Sequence, residues 1–162
     1  MDAVELLIDQ HRALEARMKR LMESTSDTER AAILAEVGDH LTVHLASEEE
    51  IFYPAVNAAR TEDVLLESLE EHLSLKRLLA DLLLLSPDEQ TFEPKFKVLK
   101  EQTEHHHKEE EEHLFPVVNK LLPDAARAEL GERMVALQVR LRQQGDPREA
   151  VADQTEKAAP LL

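Results

Sequence analysis

Apolar residues recur at steps of three and four through almost the whole chain: Leu7, Leu14, Met18 and Leu21 in one segment, Ile33, Val37, Leu41 and Ile51 in the next. That spacing lines one face of an α-helix, so each segment needs another helix against which to bury its stripe. Only 3 of the 162 residues are glycine, too few for the turns of an all-β fold. With 43% hydrophobic and 33% charged residues, the chain is expected to bury a real core within one domain.

Four clusters carry the residues that stop one helix and start another: Ser24-Thr25-Ser26-Asp27, Thr61-Glu62-Asp63, Ser86-Pro87-Asp88 and Leu122-Pro123-Asp124. They leave helical segments over 2–23, 28–59, 63–85, 93–121 and 124–144. Short connections make successive helices antiparallel neighbours, which predicts an all-α fold: an up-down-up-down four-helix bundle with an additional C-terminal helix packed outside. Residues 1–144 are read as this domain. Residues 145–162 contain two prolines, many small and charged residues and no apolar period, so a loosely ordered tail is expected there. Pro54 and Pro116 fall inside the second and fourth segments, where the missing N–H predicts a kink.

Nineteen Lys and Arg against 34 Asp and Glu give a formal charge of −15, a field that repels nucleic-acid phosphates and anionic membranes. The chain has no cysteine, so disulfides, thiolate metal sites and cysteine nucleophiles are excluded, and any metal must be held by nitrogen and oxygen. The first residues, MDAVELLIDQH, are acidic where a secretory signal is basic, and no apolar run approaches the ~18 residues of a membrane span. A cytoplasmic protein is expected. Against only five aromatic residues stand 8 histidines, and their placement carries the chemistry.

The histidines belong to a duplicated pattern. His44-Leu45-Ala46-Ser47-Glu48-Glu49-Glu50-Ile51-Phe52-Tyr53-Pro54 aligns with His106-His107-Lys108-Glu109-Glu110-Glu111-Glu112-His113-Leu114-Phe115-Pro116. Both read HxxxEExx, then two apolar residues, then Pro. One helix upstream, Gln10-His11 with Leu14 and Met18 matches Glu71-His72 with Leu75 and Leu79. Such duplication implies approximate two-fold symmetry, with residues near the axis converging from all four helices.

Periodicity turns these groups inward. Leu7, His11, Leu14, Met18 and Leu21 alternate in steps of four and three, the spacing of a helix–helix seam, so His11 stands where a core hydrophobe is expected. His44 and Glu48, like His106 and Glu110, lie one turn apart on one helix face, and His72 lies among Leu65, Leu69 and Leu79. Burying four imidazoles and two carboxylates together is costly unless a cation pairs with them. Mixed His/carboxylate donors suit iron, manganese or zinc, and carboxylates able to bridge favour a dinuclear centre, with iron as the leading choice. Within His105-His106-His107, successive residues point about 100° apart, so only His106 is expected to ligate. Glu49 and Glu111 are candidates to hydrogen-bond the ligands from behind. His40 and His113 break the symmetry of the repeat and are read as hydrogen-bond partners or partly exposed residues, with direct ligation as the alternative. Tyr53 is assigned no role.

Over about residues 5–120, the paired HxxxEExx motifs ending in aromatic-Pro, each preceded one helix earlier by a lone His, resemble the hemerythrin-like, or HHE, cation-binding proteins. The resemblance implies a non-haem centre of two iron ions, oxo- or hydroxo-bridged, inside a four-helix bundle. It further implies His11, His44, His72 and His106 as terminal ligands and Glu48 and Glu110 as bridging carboxylates. Oxygen-carrying hemerythrins have a fifth histidine on the third helix at four-residue spacing, where this chain has Ser68 and Lys76. The departure points away from oxygen carriage and towards redox chemistry with a small oxidant such as hydrogen peroxide, O2 or nitric oxide, including a catalase- or peroxidase-like cycle. Two other functions are weighed against it. One, also implied by the resemblance, is an O2 or redox sensor or an iron-handling protein without turnover. The other is a metal-free acidic helical interaction module with its histidines packed neutral.

Overall fold

A computed structural model describes residues Met1–Leu162, and the chain is helical with no strand. In order it forms α1 (Ala3–Glu23), α2 (Asp27–Ser47), a π-helical turn (Glu48–Phe52), α3 (Tyr53–Val56) and α4 (Glu62–Leu83). There follow α5 (Phe92–Glu109), a second π-helical turn (Glu110–Leu114), α6 (Phe115–Leu121), α7 (Asp124–Gln143) and a 3-10 helix (Pro147–Gln154). Each of the five segments expected from the sequence is helical. Asp2 opens α1 with a reciprocal cap, its carboxylate accepting the Glu5 N–H at 2.9 Å while Glu5 accepts the Asp2 N–H at 3.2 Å. Ser26 caps α2 by accepting the Glu29 N–H at 3.2 Å.

Helix α1 packs on α2 and α5, and α4 packs on α5 and α2, which closes a four-helix ring around one interior. The interior has three layers. At one end Leu14, Met18, Leu41, Leu79, Phe96 and their neighbours form an apolar cluster. At the other end Leu7, Phe52, Tyr53, Leu69, Leu114 and Phe115 belong to a second. His11, His44, His72 and His106 lie in sequence between members of the two clusters, so the seam histidines form a polar layer sealed above and below by hydrocarbon.

The two prolines follow locally widened turns of their helices. Each π-helical turn closes just before a proline: Tyr53 N–H bonds to Glu48 C=O and Phe115 N–H to Glu110 C=O, five residues back in both cases. Proline cannot donate to the residue four before it and its ring crowds that carbonyl, and an inserted residue widens the helix locally to relieve this. The widened turns begin at the two carboxylates of the repeat.

The C-terminal segment also departs from expectation. Pro147–Gln154 forms a 3-10 helix against α2 and α4, and Val151 is buried within the first apolar cluster. Arg148 bonds Asp39 through a 2.8 Å ion pair, and the Arg77 guanidinium donates to the Thr155 and Glu156 carbonyls at 2.9 and 3.0 Å. Two buried apolar residues, Pro147 and Val151, and two arginines pin a short segment whose lack of period predicts a loosely ordered tail. The outer helix α7 packs on α1 and α2, with Leu130 and Met134 entering the second cluster.

Candidate metal centre

All six residues singled out by the repeat, His11, His44, Glu48, His72, His106 and Glu110, lie in the middle layer with at most 1% of their surface exposed. Their arrangement follows the duplication. Glu48 Oε1 lies 3.4 Å from His44 Nε2 on its own helix and 3.3 Å from His72 Nε2 of the other repeat. Glu110 Oε1 lies 3.3 Å from both His106 Nε2 and His11 Nε2, the mirror of the first relation. Each carboxylate therefore joins one histidine from each half.

Every one of these imidazoles is held from behind through Nδ1. His11 Nδ1 lies 2.8 Å from Glu111, His72 Nδ1 2.8 Å from Glu49, His106 Nδ1 2.7 Å from Glu71, and His44 Nδ1 2.9 Å from the Gln10 amide oxygen. These are acceptor oxygens, so each neutral ring carries its proton on Nδ1 and turns an Nε2 lone pair inward. Inside the layer those lone pairs face one another and the carboxylates. His72 Nε2 and His106 Nε2 are only 3.2 Å apart. His11 Nε2, His44 Nε2, both oxygens of Glu48 and Oε1 of Glu110 are buried without any hydrogen-bond partner.

Unpaired buried acceptors cost about 1–3 kcal/mol each. Five of them together rival the net stability of an ordinary domain, about 5–15 kcal/mol. A cation at their centre removes that cost, and the spacing suits one. Donors about 2.0–2.2 Å from an ion lie roughly 2.8–3.6 Å from one another on octahedral or tetrahedral edges. The set falls into groups able to hold an ion, His11–His44–Glu48–Glu110 and Glu48–His72–His106, and Glu48 is common to both. Shared carboxylate donors are the signature of adjacent ions.

Burial perturbs the ionisation of the groups in the layer. Burial, and then the neighbouring Glu110, push Glu48 well above the usual carboxylate range. Burial works against ionising Glu110 too, but the neighbouring His106, then contacts with Glu48 and His11, outweigh it and hold Glu110 well below the usual carboxylate range. Burial, then repulsion from His11 and His107, drives His44 well below the usual histidine value.

Four features of this layer were not apparent from the linear pattern. The Tyr53 hydroxyl donates to Glu110 Oε2 at 2.8 Å and stands 3.1 Å from His72 Nε2, so this residue sits at the centre rather than merely packing at a proline. Gln138 of the outer helix donates to Gln10 Oε1 at 3.1 Å and Ser47 Oγ at 2.9 Å, which fixes the amide that anchors His44. Lys76, buried beside the layer, donates to Glu49 at 2.9 Å behind His72. His107, expected to point away, is instead buried, with Nδ1 2.8 Å from Glu15 and its ring stacked on His11 at 3.7 Å. Only the excess of histidine over the repeat hinted at this last residue. His105 and His113 are 63% and 59% exposed and stand outside the layer. His40 is half-buried one turn before His44 and belongs to none of the groups able to hold an ion.

Interlocked His/Glu pairs across a four-helix bundle define a helical cation-binding protein. The chain belongs to the hemerythrin HHE cation binding domain family, whose model matches residues 2–118. Its fold is similar to that of a hemerythrin HHE cation binding domain-containing protein from Mycobacterium kansasii, solved by crystallography. The two share 25% sequence identity with a TM-score of 0.81, and the match covers 94% of this chain and 98% of that one. No curated protein matches the chain. No helix is long and apolar enough to cross a membrane.

Proposed function

We propose that the middle layer holds two iron ions and that the protein reacts with a small oxidant, hydrogen peroxide, O2 or nitric oxide, with peroxide turnover as its enzymatic form. The observation that carries this reading is the set of inward Nε2 and carboxylate lone pairs at 3.2–3.4 Å separations, five of them without a hydrogen-bond partner. In this reading His11, His44, His72 and His106 are terminal ligands, and Glu48 and Glu110 bridge the pair. Zinc or manganese could use the same donors, and ligand type alone discriminates weakly among them.

Bound iron would supply the electrons that reduce or cleave the oxidant. The protein's own groups prepare the site for that chemistry. Glu111, Gln10, Glu49 and Glu71 fix the tautomer and direction of each imidazole and raise its basicity. The apolar clusters above and below exclude bulk water, which strengthens every charge interaction within the layer. Tyr53 keeps its proton: burial, then the charges of Glu110 and Glu48, hold its pKa well above the ordinary phenol value. Its O–H is thus a neutral donor fixed at Glu110 Oε2, beside His72.

Elemental analysis and oxygen release test the reading together. The purified protein should carry about two irons per chain and release O2 when peroxide is added. His44→Ala and Glu110→Ala should lower both iron content and thermal stability, whereas Glu112→Ala, with its side chain 53% exposed, should do little. Metal-free protein whose stability does not respond to added metal would refute the metal reading. Iron-loaded protein without turnover would remove the enzymatic form and favour sensing or iron handling.

A further inference from the structure

We infer that the two ion positions are held unequally, the one at His72 and His106 more tightly than the one at His11 and His44, and that one departure from the repeat, Gln10 against Glu71, sets the difference. The inference rests on the reading of the layer as a two-metal site and concerns which position is labile. The inner carboxylates do not separate the positions. Glu48 Oε1 lies 3.4 Å from His44 Nε2 and 3.3 Å from His72 Nε2, and Glu110 Oε1 lies 3.3 Å from Nε2 of both His11 and His106. The difference lies in the imidazoles and in what stands behind them.

Two of the four anchors match across the repeat. Glu111 stands behind His11 and Glu49 behind His72, both at 2.8 Å, and each carboxylate is also paired with a cation, Arg12 in one half and the buried Lys76 in the other. The other two anchors do not match. His106 Nδ1 donates to the Glu71 carboxylate at 2.7 Å, whereas His44 Nδ1 donates to the neutral Gln10 amide at 2.9 Å. An Nδ1–H bond to a carboxylate draws imidazole towards imidazolate and strengthens Nε2 as a donor; an amide oxygen, without net charge, does so far less. No lysine or arginine offsets the Glu71 charge. Glu71 lines a groove with Glu67, Glu70 and Glu101, and its ion-pair neighbour besides His106 is the exposed His105 at 3.7 Å.

A chain of hydrogen bonds from the outer helix requires the amide at position 10. The Ser47 hydroxyl gives its proton to the His44 carbonyl at 2.9 Å, so towards Gln138 it can only accept, and Gln138 Nε2 donates to it at 2.9 Å. That fixes the Gln138 amide with its oxygen facing Gln10. Gln10 Nε2 donates to this oxygen at 2.7 Å, and Gln138 Nε2 donates back to Gln10 Oε1 at 3.1 Å. A carboxylate at position 10 would set an oxygen against Gln138 Oε1 beside a buried residue, without a proton to share. Gln138 belongs to α7, which packs on α1 and α2, whereas Glu71 on α4 meets solvent at 23% exposure. The helix outside the four-helix ring thus reaches one half of the layer and leaves His44 the weakest of the four imidazole donors. The ion at His11 and His44 is the one that exchanges first.

Stepwise removal of Co2+ tests this without relying on activity, because an imidazole bound to a paramagnetic ion shows a strongly shifted Nδ1 proton. Protein carrying two Co2+ and 15N-labelled histidine is titrated with a chelator while these signals are followed, each position being identified by the signals lost in His44→Gln or His106→Gln. Wild type should lose the His11 and His44 signals at a chelator concentration at least ~10-fold below that which removes those of His72 and His106. Glu71→Gln, an isosteric change, should bring the two steps together. Glu101→Gln removes a charge from the same groove without touching an imidazole and should leave them apart. Four wild-type signals that fall together, or those of His72 and His106 falling first, would overturn the inference, and this order is read without any variant. Glu71→Gln behaving like Glu101→Gln would overturn it as well, while leaving the six-residue site standing. Wild-type protein that cannot be loaded with two Co2+ would instead overturn the two-metal reading beneath it.

Discussion

Acidifying the metal-free protein should unfold it through its buried histidines, and His40 offers the clearest single measurement. His40 is half-buried near Arg17 and Arg142, and desolvation first, then those two charges and His11, lower its pKa from 6.5 to about 4. The unfolded chain therefore binds a proton near pH 6.5 that the folded chain accepts only near pH 4. Stability from this group is fully present above pH 6.5 and is lost as pH falls through the folded-state value. At 1.36 kcal/mol per pKa unit, the loss is about 3 kcal/mol by pH 4. Glu48 runs in the opposite sense: with its pKa raised, its contribution is present at low pH and lost as pH rises through the folded-state value. The assay compares wild type with His40→Gln by urea denaturation in chelator at a series of pH values, which cancels the Glu48 contribution common to both. Between pH 6.5 and 4 the variant should lose about 3 kcal/mol less than wild type. Parallel curves would mean that His40 is not held neutral in the folded state, and the electrostatic account of this face of the bundle would fail.

Three further outcomes follow from packing and hydrogen bonding. Tyr53→Phe removes the donor to Glu110 and should cost about 1.5–3 kcal/mol in the metal-free protein, but less once metal is bound, because a cation then compensates the carboxylate; equal losses in melts with and without metal would contradict this. Gly131→Ala should destabilise by about 1–3 kcal/mol even though alanine favours helix, because the added Cβ would meet the Met1 carbonyl oxygen at 2.7 Å and the Asp2 backbone at 3.0 Å; a more stable variant would show that the N-terminus is not seated on α7. Val151→Ala should cost about 1–2 kcal/mol from lost burial, and no change in the denaturation midpoint would mean that the 3-10 helix does not hold to the core.

The helical period and the duplication determined the fold class, the helix boundaries to within a few residues and which His and Glu share a face. Those properties depend on spacing along one helix, which the chain carries directly. Glu49 and Glu111 were legible for the same reason, each following its inward glutamate by one position. His107 was not legible, because a helix in a four-helix ring has two neighbours rather than one seam. A rotation of about 100° from His106, which meets His72 and Glu71 on α4, carries the next residue onto α1, against His11 and Glu15. Gln138, Tyr53 and the anchored C-terminal segment were hidden likewise. Their roles come from contacts with residues distant in sequence, set by helix rotation, by the widened turns before Pro54 and Pro116 and by the seating of α7. A one-dimensional pattern specifies which side of a helix is wet and which is dry; only the packed bundle decides which side chains meet across the dry side.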